Sequence, residues 1–345
     1  MVVVMAPGAP EEQVDAVVAR IESTGSQAFV SRGVLRTIIG VVGDAADCYE
    51  LNLPVMPGVS TVLRVSAPYK LVSAQAHTGR SVVQIGPPGH QVSIGPGTFT
   101  LIAGPPAIES PEQALGAARL AAAAGATVLR GGVHNARTLP PGFPSQGEAG
   151  LKVLANVRDT TGLLIAVEVV DPGDVDLVSS YADLLQVGAA HMQNLPLLDS
   201  VGRSGRPVLL TRGRQATVDE WLMAAEFVAQ RGNLAIVLCE GGIRTFETAT
   251  TATLDLGAIP LAQQLSHLPV IVDPSRACGR RDLVVPLARA AIAVGTDGLL
   301  VDVHPDPENA LVDGRQSLAG AELRELASAV RQFPRMLNRS PTAAG

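Results

Sequence analysis

Val270-Ile-Val-Asp-Pro-Ser-Arg-Ala-Cys-Gly-Arg-Arg-Asp282 and, a short way on, Gly298-Leu-Leu-Val-Asp-Val-His-Pro305 decide how this chain is read. Each is a short apolar run that stops at ionisable residues. A buried parallel strand looks like this when it delivers functional groups at its C-terminal end. Upstream of 269–272 and 298–301, apolar runs recur at residues 99–103, 127–129, 163–167, 184–187, 207–210 and 234–238. A helical or irregular crossover follows each one. Two crossovers carry marked helix starts. Ser110-Pro-Glu-Gln113 offers a cap, a first-turn proline and a capping-box Gln, and its helix stops at Gly125. Thr217-Val-Asp-Glu220 is a second capping box, with Gly232 ending the helix. Eight strand–helix units indicate an α/β fold, a (β/α)8 TIM barrel over residues 99–338. A doubly wound open sheet is the alternative. No G-x-G-x-x-G follows the first strand, which argues against a dinucleotide site.

Ahead of the barrel, residues 1–67 read as a small α+β unit. Strands are expected at residues 2–5, 27–31, 34–42 and 59–65. A helix opens at Pro10 and gathers Val14, Val17, Val18 and Ile21 on one face, and a short second helix is expected at 45–53. The order β-α-β-β-α-β is the ferredoxin-like plan, a module that serves regulation or assembly. Residues 68–98 form a connector. In it, 82–85 and 91–94 flank Gly86-Pro-Pro-Gly89 as a hairpin that suits the bottom of a barrel.

Composition narrows the function. Of 345 residues, 47% are hydrophobic and only 3% aromatic, so the core is aliphatic, as in buried parallel sheets. The net charge of −6 and the lack of a Lys/Arg-rich block argue against nucleic-acid binding. Three cysteines, Cys48, Cys239 and Cys278, are odd in number and far apart, which points to a reducing compartment. No 18-residue apolar run and no basic leader occurs, so a cytoplasmic protein without a membrane partner is expected.

In such a barrel the reacting groups follow the strands. Those positions gather Arg130, Arg137, Arg212, Arg244 and Arg276, facing Glu168, Glu240, Asp273, Asp302 and Asp313. Guanidinium forks grip phosphate or carboxylate. The arginines are therefore read as the contacts of an anionic small-molecule substrate, with structural ion pairs at the rim as the competing explanation. His191 and His304, with Glu240 and Asp302, are the candidates for proton transfer.

These residues lie within a wider pattern. Tyr69-Lys-Leu-Val-Ser73, Ile102-Ala-Gly-Pro105, Leu129-Arg-Gly-Gly132, Arg137-Thr138, Gly242-Ile-Arg-Thr-Phe-Glu247, Val272-Asp-Pro-Ser275, Gly279-Arg-Arg-Asp282 and Val303-His-Pro305 occur in order along the chain. With them the chain resembles the class I 3-deoxy-D-arabino-heptulosonate 7-phosphate (DAHP) synthases, in the subgroup with an N-terminal ferredoxin-like, ACT-like domain. The resemblance implies a barrel that joins phosphoenolpyruvate to erythrose 4-phosphate with a divalent metal, at the entry to aromatic amino-acid synthesis. It also implies a homodimer or homotetramer, and an N-terminal domain that binds an inhibitory amino acid.

Carried over residue by residue, the family's metal ligands fall on Pro106, Arg276, Asp302 and Asp313. Its phosphoenolpyruvate cations fall on Asn135, Ala190, Thr211 and Gly241, while Arg130, Arg137, Arg244 and Glu240 remain. The Ser-Pro expected after Thr138 is Leu139-Pro140. Proline has no side-chain donor atom and arginine is a permanent cation, so no metal is expected, and Arg276 is expected to pair with Asp302 or Asp313. New ionisable groups, His134, His191 and Arg276, stand where old ones are lost. Three readings follow. The first is a remodelled, metal-free enzyme with aldolase or lyase chemistry on a carboxylate or phosphate. The second is a genuine 3-deoxy-7-phosphoheptulonate synthase, for which the divalent metal would return as cofactor. The third is a non-catalytic paralogue with a regulatory or assembly role.

Overall fold

The computed structural model describes residues 1–33, 36–42, 51–63, 68–133, 146–336 and 338–342. The chain divides into two compact units, Met1–Pro68 and Tyr69–Gly345.

In the first unit, β1 (Val2–Met5), α1 (Glu11–Glu22), β2 (Gln27–Arg32), β3 (Thr37–Val42) and β4 (Val59–Leu63) follow in order. The strands form an antiparallel sheet of order β2-β3-β1-β4. Val14, Val17 and Ile21 project from one face of α1 onto Val3, Met5 and Ile39 of the sheet. This is the ferredoxin-like order. The helix expected at 45–53 lies largely outside the described residues, which resume in a short 3-10 turn at Leu53–Val55.

The second unit begins with the expected hairpin, β5 (Val83–Ile85) and β6 (Val92–Ile94), paired antiparallel with Ile85 opposite Val92. Eight strands then run parallel: β7 (Thr98–Gly104), β8 (Val128–Arg130), β9 (Leu164–Glu168), β10 (Leu184–Val187), β11 (Val208–Thr211), β12 (Ile236–Glu240), β13 (Val270–Val272) and β14 (Gly298–Asp302). Pairing of β14 with β7 closes the ring, so the TIM barrel replaces the open sheet as the architecture. The helices α2 (Pro111–Ala123), α3 (Gly147–Thr161), α4 (Val175–Tyr181), α5 (Leu195–Arg203), α6 (Val218–Ala229), α7 (Ala258–Leu265), α8 (Pro274–Cys278), α9 (Arg281–Ala293) and α10 (Gly320–Met336) fill the crossovers. Both helix starts form: Ser110 Oγ accepts from Gln113 N–H at 3.1 Å, and Thr217 and Glu220 close a reciprocal box.

Side chains alternate along each strand, and the inward set builds the barrel core. Ile102, Val128, Leu164, Leu184, Leu209, Val237, Ile271 and Leu300 pack inside it, and Val83, Ile85, Val92 and Ile94 of the hairpin pack onto them from the N-terminal end. The hairpin turn needs glycine at 86, where φ is 99° and a Cβ would press on His90 O and Leu164. One strand starts two residues later than the run 234–238 implied. The Asn233 carboxamide accepts from Ala235 N–H at 3.0 Å, and Ile236 N–H bonds Leu234 O at 2.9 Å. That turn leaves Leu234 half exposed before β12 begins. A two-residue strand β15 (Ser340–Pro341) lies beside the start of β7 and had no sequence signal.

Candidate active site

Beyond this apolar layer, the same inward alternation delivers polar groups to the C-terminal mouth on six of the eight strands. Arg130, Glu168, Gln186, Thr211, Asp273 and Asp302 are all at least nine-tenths buried there. Arg130 Nη1 pairs with Asp302 Oδ1, and Gln316 Nε2 donates to Asp302 Oδ2 at 2.5 Å. Ser275 Oγ accepts from the Asp302 N–H at 3.0 Å, tying β14 to α8. Asp273 caps α8 by accepting from Arg276 N–H at 2.9 Å. Burial first, and then the Asp302 charge, push the Asp273 carboxyl above the ordinary carboxylate range.

Above this floor lies a cleft of about 1070 Å³, lined among others by Glu168, Gln186, Thr211, Arg214, Arg244 and Arg276. Arg276 Nη2 meets Glu168 Oε2 at 3.4 Å, and its Nε stands 4.0 Å from Asp273 Oδ2. Burial works against this guanidinium's charge, but Glu168, Asp302, Asp273 and Asp313 outweigh it and hold the pKa above the usual value. Gly188 makes the arrangement possible, because a Cβ there would overlap Glu168 Oε1. The side chains of Arg214 and Arg244 make no ion pair or hydrogen bond to the described residues, although Arg244 N–H bonds Arg214 O at 2.7 Å. Partial desolvation, and next the Arg276 charge, lower the pKa of Arg214. Several buried polar atoms around the floor also lack a hydrogen-bond partner among the described residues: Arg130 Nε and Nη2, Gln186 Oε1 and Arg276 Nε. Groups of this kind carry a desolvation cost until something meets them.

Several expected site residues stand elsewhere. Arg212 points away from the cleft. Its Nη1 meets Glu240 Oε2 at 3.0 Å and Asp255 Oδ2 at 2.9 Å, and its Nε donates to Ala216 O at 3.0 Å. Glu240 is fully buried and also accepts from Gly242 N–H at 2.7 Å, so the structure holds this pair in contacts of its own, and neither residue lines the cleft. His191 closes a 3-10 turn whose neighbours Ala190 and Met192 line the cleft, whereas it does not. His304 is buried behind β14. Its Nδ1 accepts from Asp306 N–H at 3.1 Å, which leaves the proton on Nε2, 3.4 Å from Glu109 Oε1. Asp302 is held by Arg130 and Gln316, and Arg276 pairs with Glu168 rather than with Asp302. Arg137 and His134 lie outside the described residues. Arg214, two residues past Arg212, escaped the sequence reading, although the strand-end rule applied one residue further would have reached it.

The closed barrel with its ionisable mouth defines a β/α-barrel protein whose candidate site lies at the C-terminal ends of the strands. Residues 72–339 match the DAHP synthetase I family and residues 1–67 the DAHP synthase ferredoxin-like domain. The chain belongs to this family. It is 44% identical over 333 residues to a phospho-2-dehydro-3-deoxyheptonate aldolase of Thermotoga maritima, covering 96% of this chain and 97% of that one. A crystal structure of the T. maritima DAHP synthase superposes with a TM-score of 0.91 at 43% identity, over 99% of this chain and 98% of that one. A 2-dehydro-3-deoxyphosphooctonate aldolase of Magnetococcus marinus is 31% identical over 69% of this chain and 88% of its own length.

The resemblance implies a divalent metal, and the donor set bears on it. Pro106 offers no side-chain donor. Arg276 is a cation already paired with Glu168, and both Asp302 oxygens are taken. Among the described residues no three His, Cys, Asp or Glu side chains come together as a metal site. Burial pushes the Cys239 thiol up, away from the thiolate a metal needs. Among the described residues the donor set does not fit the ion. No helix among the described residues is long and apolar enough to cross a membrane.

Proposed function

We propose that the protein carries out aldol-type carbon–carbon bond chemistry on an anionic small molecule bearing a phosphate or carboxylate, held at the C-terminal mouth of the barrel. The observation that carries this is the convergence of Arg214, Arg244 and Arg276 on one cleft, two of them without a partner among the described residues. Guanidinium groups there hold an oxyanion and stabilise the negative charge that develops on a carbonyl oxygen during bond making. Glu168, which lines the same cleft and already meets Arg276, is a carboxylate within reach of a bound ligand.

Two specific reactions fit this class. The whole-length similarity to a phospho-2-dehydro-3-deoxyheptonate aldolase favours the family's condensation of phosphoenolpyruvate with erythrose 4-phosphate, and favours it over a remodelled reaction. The strand-end side chains favour a different anion, because Ala190, Thr211 and Gly241 stand where the resemblance implies cations. The test is a product assay by NMR with phosphoenolpyruvate and erythrose 4-phosphate, run with chelator and with manganese, beside a binding screen of carboxylates and sugar phosphates. Turnover supports the family's condensation. Saturable binding of another anion without turnover of this pair supports the remodelled reaction. A protein that neither turns over the pair nor binds any anion refutes the proposal and leaves the regulatory or assembly role.

A further inference from the structure

Like charges normally avoid each other where solvent is thin. At this cleft, Arg276 and Arg214 line the same wall, and the Arg214 guanidinium makes no close ion pair or hydrogen bond with the described residues, Asp273 and Asp313 acting on it only through longer-range attraction. Glu168 answers only part of the charge, since it meets Arg276 through one oxygen at 3.4 Å. Arg276 Nε has no hydrogen-bond acceptor among the described residues, Asp273 Oδ2 standing 4.0 Å away. Beneath them, Gln186 lines the cleft with an unsatisfied, buried carboxamide oxygen. Guanidinium forks with N–H groups still open, above an open acceptor, describe a receptor for an oxyanion that also carries a donor hydroxyl.

We infer that Arg214 and Arg276 form a paired guanidinium clamp that binds the oxyanion of a hydroxylated phosphate monoester or carboxylate without a divalent metal ion. This rests on the reading that the cleft takes an anionic small molecule. In the clamp, two permanent charges on fixed elements do the electrostatic work for which a bound cation would otherwise be needed. Arg276 sits on the first turn of α8, directly after β13, and Arg214 follows β11. The anion is gripped by arginines that follow two strands flanking β12, on one wall of the mouth. Glu168 competes for Arg276 until the ligand arrives, which keeps the empty site from collapsing into a repelling pair.

The test is calorimetric titration of chelator-treated protein with glycerol 3-phosphate and, separately, with glycerate and inorganic phosphate. Wild type binds with an affinity unchanged by added manganese. Arg214→Ala loses about tenfold or more, the scale of one charge-assisted contact, and Arg214→Lys recovers part of it. The same Arg214→Ala protein keeps or slightly raises its ligand-free Tm, because a like charge beside Arg276 is gone, but loses the ligand-induced rise. The two arms separate the sources: preference for glycerol 3-phosphate names a phosphate ligand, and preference for glycerate a carboxylate. Binding that appears only with manganese, or that ignores Arg214→Ala, overturns the clamp while leaving an anion-binding barrel. Absence of binding by every anion overturns both.

Discussion

Arg212→Met separates a structural arginine from a substrate-binding one. The side chain is 7% exposed and its carboxylate partner Glu240 is fully buried. One nitrogen meets Glu240 at 3.0 Å and Asp255 at 2.9 Å, while Nε satisfies Ala216 O at 3.0 Å. Methionine fills similar volume but leaves Glu240 with a single N–H, from Gly242. Breaking a buried pair in this way costs about 3–5 kcal/mol. For a barrel of this size that corresponds to a Tm lower by about 6–20 °C. The sign with pH is also fixed. Burial already raises the Glu240 pKa, and losing Arg212 raises it further. A carboxyl whose folded pKa is raised contributes stability below its unfolded pKa that is lost as pH rises through the folded value. The deficit relative to wild type is therefore full above the raised folded pKa and shrinks as pH falls through it toward the ordinary carboxylate range. Calorimetry or thermal melts across pH measure it, with anion affinity measured beside it. A variant with unchanged Tm and a lost anion site refutes the structural assignment.

Glu168→Gln removes the internal competitor for Arg276, and anion affinity should tighten by about fivefold, the scale of a partly exposed ion pair; weaker binding by calorimetry contradicts it. Gly188→Ala forces the Glu168 carboxylate aside, lowering stability by about 1–3 kcal/mol in urea melts, and an unchanged midpoint contradicts the close approach. Asp273→Asn keeps the cap on Arg276 N–H but removes a carboxylate whose pKa is raised by burial and Asp302. Its stability relative to wild type should rise as pH rises above the ordinary carboxylate range, because the charge it removes is the unfavourable form, and a gain confined to acid pH contradicts it. Ile85→Ala, in the hairpin that seals the barrel, should cost about 2–5 kcal/mol, whereas a small loss would mean that the hairpin is not part of the core.

The fold was legible because its signals are local and repeated. Eight aliphatic runs, two capped helices and a Gly-Pro-Pro-Gly turn specify elements whose closure into a barrel follows from strand number and parallel pairing. The site was less legible because a strand end names residues without giving their direction. Arg212 and Arg214 are two residues apart, yet the first turns outward to Glu240 and the second lines the cleft. Glu240 and His304 carry the right chemistry for proton transfer but spend it on Arg212 and on Asp306 N–H. Arg276 was read as a cation in the mouth, and its partner was missed because Glu168 arrives from the far side of the ring, through space that a glycine at 188 leaves open.

The central claim is that the barrel mouth holds an anion between guanidinium groups with no metal among the contacts. A crystal structure of chelator-treated protein with glycerol 3-phosphate tests it most directly. Phosphate oxygens are expected within hydrogen-bond reach of both Arg214 and Arg276, with Glu168 drawn off Arg276. An anion held without either arginine, or a cation ligated by Asp302 and Asp313 with Arg276 swung away, would contradict it.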